Sequence, residues 1–169
     1  MAKIEMQGMS QYIRQLENVA WASADVCKAA AYAGADVVAN EIRRGIDGLR
    51  ANPDVQALVA YNQQRPTYIT VSQKNGLRRS LGIAKIQKKY GIVSTKIGFD
   101  GYNDVETDRW PQGQPNALIA RACESGSVAM YKQPFMRPAI KRAQNLCLFE
   151  MERAADKKLK EILGGNAND

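Results

Sequence analysis

Apolar residues recur every three or four positions over two long stretches of the chain, and this spacing predicts two amphipathic helices. The first spans about 23–49 and begins at Ser23, a residue type that caps helix N-termini well. A shorter helical segment precedes it, and we expect Trp21 to pack at the corner between the two. The second long helix spans about 138–163, with Pro138 in its first turn.

Alternating apolar and polar residues between these helices predict a β-hairpin at about 83–99. Positions 93, 95, 97 and 99 fall on one face of its return strand, and residues 88–91 have the length of a four-residue connection. These elements predict an α+β fold in which a small antiparallel β-sheet is packed by two long helices, with short helices added.

The length of 169 residues is typical of a single domain. We expect one α+β domain over 1–165 and a disordered tail at 166–169. The composition, 45% hydrophobic and 24% charged, excludes a wholly disordered chain and a collagen. No run of about 18 apolar residues is present, so we expect no membrane-spanning segment.

Two residue counts restrict the possible chemistry. The absence of histidine removes Ser–His and Cys–His nucleophilic pairs and His-ligated zinc. Cys27, Cys123 and Cys147 form no C-x-x-C motif, and we interpret them as reduced core residues of a protein in a reducing compartment. No phosphate-binding glycine motif is present. The sequence therefore predicts a protein that is not an enzyme and that has no cofactor and no metal site.

The net charge of +7 is unevenly distributed. The segment 65–96 contains no acidic residue and eight bases, of which five are candidates for facing DNA: Arg78, Arg79, Lys85, Lys88 and Lys89. Acids follow at once, and three of them are candidates for a subunit or partner contact: Asp100, Asp104 and Asp108. This pattern favours contact with nucleic acid, or head-to-tail pairing in which one subunit's acidic loop meets the next subunit's basic hairpin. A solvated surface is the third interpretation.

Two prolines bracket an aromatic residue, a methionine and an arginine at the start of the second long helix. Pro134 and Pro138 restrict the backbone there, so that Phe135, Met136 and Arg137 are held in place. Glu124 is the expected partner of Arg137. One interpretation is a hydrophobic staple beside a surface arginine; the other is a rigid corner at which Glu124 and residues 135–137 contact a neighbouring subunit.

Four blocks of the sequence, in order, resemble one known family: residues 76–81, 93–103, 118–127 and 133–140. The paired signature reads Glu-Ser-Gly-Ser at 124–127 and Pro-Phe-Met-Arg-Pro-Ala at 134–139. Together the blocks resemble the small head–tail joining, or tail-completion, proteins of long-tailed double-stranded DNA phages and prophages. The N-terminal half is similar only in pattern, with Gly8-Met9 and a long alanine-rich helix. Residues 52–66 resemble an insertion relative to shorter members.

The resemblance implies a structural virion protein of the neck or upper tail, often ring-forming, that completes tails or joins them to heads. It implies other neck and tail proteins as partners (terminator, stopper, tail tube) and a homo-oligomer in the virion, while a monomer in isolation stays open. The implied location is the virion, and the host bacterial cytoplasm during assembly. The alternative function is a sequence-independent nucleic-acid-binding module that uses the basic 65–96 segment.

Overall fold

The computed structural model describes residues 9–54, 65–104, 106 and 110–164, with side chains from Ile13 onward. The predicted tail at 166–169, most of the 52–66 segment, Gly8 and Asp108 lie outside the described residues. The elements are α1 (Met9–Asp47), β1 (Ala51–Asn52), β2 (Ile69–Thr70), α2 (Val71–Ser80), β3 (Leu81–Ile83), β4 (Gln87–Lys89), β5 (Ile92–Ser94), β6 (Ile97–Phe99), α3 (Asn116–Ser125) and α4 (Met136–Gly164).

The first long helix is longer than the sequence pattern indicates. α1 has 39 residues without a break, so the predicted corner is wrong. Trp21 lies on the helix surface and is 86% exposed instead of packed. The segment around it contains alanines and neither proline nor glycine, and alanine has the highest helix propensity, so nothing interrupts the helix there. At 1.5 Å per residue, α1 is about 58 Å long.

The second long helix confirms the prediction of 138–163 to within two residues. α4 has 29 residues, or about 43 Å, and it runs antiparallel to α1. The direction follows from pairs of neighbouring residues: Gly45 lies against Phe135, while Gly34 lies against Cys147 and Met151. Glycine at both positions of α1 lets the two helices approach closely.

The predicted hairpin is confirmed and runs from β3 to β6. Leu81 pairs with Phe99 in β3–β6, and Lys89 pairs with Ile92 in β4–β5. The registers of the two ladders differ by one residue, because three residues, 84–86, lie opposite two, 95 and 96, as in a β-bulge. The connection is shorter than predicted: Tyr90 and Gly91 alone form it, with φ of 53° and 77°. Positive φ at both residues is typical of a two-residue type I′ turn.

The fold is α+β, and its core lies at one end of the long helices. Residues from α1, α2, α3 and the start of α4 form it; the fully buried large side chains are Ile46, Ile69, Leu77, Ile119 and Cys123. Thr70 caps α2 by accepting a hydrogen bond from the Gln73 backbone, while the Gln73 side chain accepts one from the Thr70 N–H. β1 and β2 form a short parallel pair beside this core.

Candidate interaction surface

Glu124, at the end of α3, caps the N-terminus of α4. Its carboxylate accepts hydrogen bonds from the backbone N–H groups of Phe135, Met136 and Arg137 at 2.8, 2.9 and 3.2 Å. These are the groups that have no partner within the helix itself. The Arg137 Nε lies 3.7 Å from the same carboxylate, as the sequence predicted. Burial alone would raise the pKa of Glu124, but these donors outweigh it and hold the pKa below its usual value.

Two of the predicted subunit-contact residues lie inside the folded chain. Phe135 is 3% exposed and packs edge-on against Phe99, with 6.1 Å between the ring centroids. Glu124 is 5% exposed and its oxygens are occupied by α4. Within one chain the core and the helix cap use these side chains, so neither is accessible at the surface for the predicted partner contact. Met136 is partly buried against the core, and Arg137, whose side chain is 80% exposed, is the member of the group that can reach a partner.

The acidic and basic segments partly neutralise each other within one chain. Arg79 pairs with Asp104, and Arg78 lies 3.6 Å from Asp47. The Asp100 carboxylate accepts a hydrogen bond from the N–H of the next residue, Gly101. Asp104 therefore has a basic partner within its own chain, but 73% of its side chain is exposed, and its contact with a neighbouring subunit stays a prediction. The two arginines are also less suited to DNA than predicted, because each already has a carboxylate partner.

The lysines of the hairpin are arranged differently. Lys85, Lys88, Lys89 and Lys96 are exposed, and no carboxylate among the described residues forms an ion pair with them. Tyr90 at the tip is 90% exposed, with the Lys89 Nζ 5.1 Å from its ring centroid. Arg78 and Arg79 are thus paired with acids, whereas the lysines of the hairpin form no ion pair among the described residues.

Sequence reasoning missed a group of large apolar side chains exposed on the long helices. They are Ile13, Leu16, Trp21 and Tyr32 on α1, and Ile140, Leu146, Leu148, Phe149 and Leu163 on α4. A signal was present: each helix has more apolar positions than one buried stripe accounts for. Ile140 and Leu146 belong to the apolar period that predicts the last helix, yet both are 52% exposed.

The described residues also restrict the chemistry that the surface can perform. No three cysteine, aspartate or glutamate side chains among them lie close enough together to hold a metal ion. The best-formed surface depressions in this part of the chain are shallow; one lies along α4, and the other is lined by Ser72, Asn75, Arg78, Arg79 and Asp104. No described helix is long and apolar enough to cross a membrane.

Comparison with models of protein families, with curated protein sequences and with solved structures finds no match to this chain.

Proposed function

We propose that this chain is a structural assembly protein of the neck or upper tail of a long-tailed phage. In this proposal it acts in tail completion or head–tail joining through contacts between copies that form a ring. Its partners are other neck and tail proteins, and it works by fitting surfaces together instead of by catalysis.

The observation that carries this proposal is that the four sequence blocks of the resemblance meet in one packed unit. The Asp100 N–H donates to the Ser80 carbonyl at 3.1 Å, which joins the first two blocks. The Gln133 N–H donates to the Cys123 carbonyl at 2.7 Å, which joins the last two. The contact between Phe99 and Phe135 links the two pairs. Because the blocks depend on one another for packing, their joint occurrence supports a common fold more strongly than four separate matches would.

The exposed apolar side chains supply a second, independent support. A monomeric protein rarely exposes many large apolar residues on neighbouring elements, whereas a subunit of an assembly uses them for contacts. Trp21, at 86% exposed, is the strongest case, because tryptophan contributes more than most residues to protein interfaces.

The test is electron microscopy of particles assembled without this chain. The gene is deleted from the phage or prophage that encodes the chain. Lysates of the deletion strain are compared with lysates of a strain complemented with the gene. We expect DNA-filled heads and tails that do not join, or tails of abnormal length, and restoration by the complementing copy. Normal infectious particles in the absence of the chain would refute the proposal.

One observation favours a second candidate, the sequence-independent contact with DNA. Lys85, Lys88, Lys89 and Lys96 lie on one hairpin and are exposed, so phosphate groups can reach them, and no carboxylate of the described part of the chain pairs with them. Each phosphate contact releases condensed counterions, so the affinity should fall steeply with salt concentration.

Fluorescence anisotropy with a labelled duplex tests this candidate. Replacing Lys85, Lys88 and Lys89 with glutamine should reduce the slope of log affinity against log salt by up to about 2.7, since each contact contributes about 0.9. The matched control replaces Lys141, Lys157 and Lys160 of α4, which removes the same charge elsewhere. Equal effects of the two triple variants, or no binding by the unmodified chain at low salt, would rule out the hairpin as a DNA contact.

A further inference from the structure

Tyr90, at the tip of the hairpin between β4 and β5, occupies a backbone position that does not suit its side chain. Its φ is 53°, and the φ of the following Gly91 is 77°. A two-residue turn of this kind favours asparagine or aspartate followed by glycine, because few other side chains tolerate a positive φ. Tyrosine therefore destabilises the turn relative to asparagine at the same position.

The folded chain gains little from the Tyr90 side chain in return. It is 90% exposed, and no described residue forms a hydrogen bond with its hydroxyl. The Lys89 Nζ lies 5.1 Å from the ring centroid, and such a contact contributes little in water. A residue that combines backbone strain with exposure indicates a role outside folding.

The side of the hairpin that faces away from α1 is basic. β5 contacts α1, and Val93 is half-buried while Ile92 beside it is exposed, so the side that carries Val93 faces the helix. Because side chains alternate along a strand, Ile92 and its cross-strand partner Lys89 lie on the opposite side, which we call the outer side. Lys85 and Lys96 are exposed at the end of the hairpin away from the tip.

No acid of the hairpin offsets these lysines, because residues 65–96 contain none. On α1, behind the hairpin, Asp25 lies near Lys88. A hydrogen bond of 2.8 Å from Lys28 lowers the pKa of Asp25 most, and Lys88 adds a small effect in the same direction. Asp25 thus already has a basic partner on its own helix, and the hairpin lysines keep their charge for an external anion.

A polyanion whose flat rings are free to stack matches this combination of groups. Lysines suit phosphate groups, and a base stacks on an exposed aromatic ring with little regard to its sequence. A base inside a duplex is already stacked between its neighbours, so only an unpaired base can cover the Tyr90 ring without further cost. An acidic protein surface would use the lysines and leave the ring uncovered.

The lysines also extend too far along the hairpin for a contact made by the tip alone. Lys85 precedes Tyr90 by five residues, or about 16 Å along an extended strand. A lipid surface that took up the tip would leave Lys85 out of reach. A DNA strand that lies along the outer side would meet Lys89 beside the tip and then the lysines farther along.

We infer that the outer side of the hairpin binds a DNA strand with unpaired bases, one of which stacks on Tyr90. In this inference the hairpin binds such a strand more tightly than it binds duplex DNA. The inference rests on the second candidate function, contact with DNA, and names the form of DNA that is bound.

Fluorescence anisotropy of the full-length chain with a labelled single strand of about 15 nucleotides tests the inference at low salt. The competitor is a relaxed circular duplex, which has no strand ends. Duplex DNA has the higher charge density, so the lysines alone would favour the duplex. We expect the single strand to bind at least about fivefold more tightly than the duplex, because of the stacked base.

Tyr90→Asn removes the ring and keeps every charge. It should weaken binding of the single strand by about fivefold or more and leave binding of the duplex unchanged, while Tyr90→Phe, which keeps the ring, should retain the preference. Tyr102→Asn is the control, since this tyrosine is 56% exposed outside the hairpin, and it should change neither affinity.

The same variant tests the argument from strain. Because asparagine tolerates a positive φ, Tyr90→Asn should raise the melting temperature by about 2 °C or more. A melting temperature that falls instead would show that the tyrosine serves folding, and it would overturn the inference.

The remaining outcomes separate the inference from the proposals on which it rests. Equal affinity for the two forms of DNA, or equal weakening of both by Tyr90→Asn, would overturn the inference and leave the contact with duplex DNA standing. Binding to neither form would overturn both. Binding to phosphatidylserine vesicles that depends on Tyr90, without a preference for the single strand, would assign the tip to a lipid surface and overturn the inference. The role in the neck or tail is decided separately, by the particles of the deletion strain.

Discussion

A buried glutamate at the end of α3 accepts hydrogen bonds from the first backbone N–H groups of the next helix. Glu124 satisfies three backbone N–H groups of α4 and lies at the positive end of that helix. Arg137 adds little by comparison, because its side chain is 80% exposed and water screens the pair at 3.7 Å. The cap, and not the ion pair, therefore fixes where α4 begins.

Glu124→Gln removes the charge and keeps the size, and we expect a loss of about 1–3 kcal/mol of stability at pH 7. The pKa of Glu124 is lower in the folded chain than its ordinary value of 4.5. Its contribution is therefore complete above pH 4.5 and is lost as the pH falls through the folded pKa. Urea unfolding from pH 7 to pH 3 should show the difference between the two proteins narrowing below about pH 4.5.

The matched control for this measurement is Glu152→Gln, an exposed carboxylate on the outer side of α4. It should change the free energy of unfolding by less than about 0.5 kcal/mol at every pH. A difference between Glu124→Gln and the unmodified chain that stays constant down to pH 3 would mean that folding does not lower the pKa of this carboxyl.

The three thiols should differ in reactivity. Cys123 is buried, and burial, with a smaller effect of the neighbouring Glu124 charge, raises its pKa to about 12. Cys27 is exposed, contrary to the prediction that all three cysteines lie in the core, and Cys147 is half-buried. An aromatic disulfide reagent at pH 8 should modify Cys27 first, and Cys123 only when the chain unfolds.

Cys27→Ser provides the control for the thiol measurement, because it should remove the fastest phase and leave the others. A fast phase that persists in this variant would place a second reactive thiol at the surface. Fast loss of the Cys123 thiol in the native chain, detected by mass spectrometry, would contradict its burial.

At the scale of elements, sequence reasoning located the helices and the hairpin but not their ends or connections. The apolar period predicts α4 well because Pro138 and the glycine pair after Ile162 mark its limits. The prediction of a corner at Trp21 and a helix start at Ser23 fails. A serine caps a helix only where the chain leaves the helical conformation, and this alanine-rich segment stays helical. The tip of the hairpin was misjudged because Tyr90 adopts a left-handed conformation that is unusual for a tyrosine.

The close packing of α1 on α4 predicts different costs for two Gly→Ala substitutions. A Cβ at Gly45 would lie 3.1 Å from the Phe135 carbonyl oxygen, and this backbone is held by the Glu124 cap. A Cβ at Gly34 would lie 2.7 Å from the Met151 Cγ and Sδ, but a methionine side chain can rotate. We expect Gly45→Ala to destabilise by about 1–2 kcal/mol. Helix propensity favours alanine by about 1 kcal/mol at both positions, so Gly34→Ala should cost less because the Met151 side chain can move aside and the Phe135 backbone cannot.

Thermal and urea unfolding of both variants measure these costs. Gly48→Ala is the control, since its Cβ would find only ordinary contacts at 3.5 Å and beyond. If Gly34→Ala proved the more damaging substitution, the packing around Met151 would be more rigid than the packing around Phe135.

At the scale of the whole molecule, the fold class and the Glu124–Arg137 pair followed from sequence, and the distribution of the core did not. Periodicity shows which face of a helix is apolar but not how far along that face a partner extends. The same limit applies to charge. The run of bases from 65 to 96 looks uniform, yet Arg78 and Arg79 pair with acids, Lys74 donates to the carbonyls of Asp47 and Leu49, and the hairpin lysines form no ion pair among the described residues.

A core at one end of the helices predicts a gradient of local stability along them. Backbone amides exchange with solvent through local opening where few side chains are buried, and through global unfolding where the core holds them. In dilute solution, amides of α1 near Ile46 and of α4 near Ala143 should exchange at least about tenfold more slowly than those near Ala24 and Leu159. Hydrogen exchange followed by mass spectrometry resolves these four regions. Equal protection along both helices would mean that their distal ends are as stable as the end that holds the core.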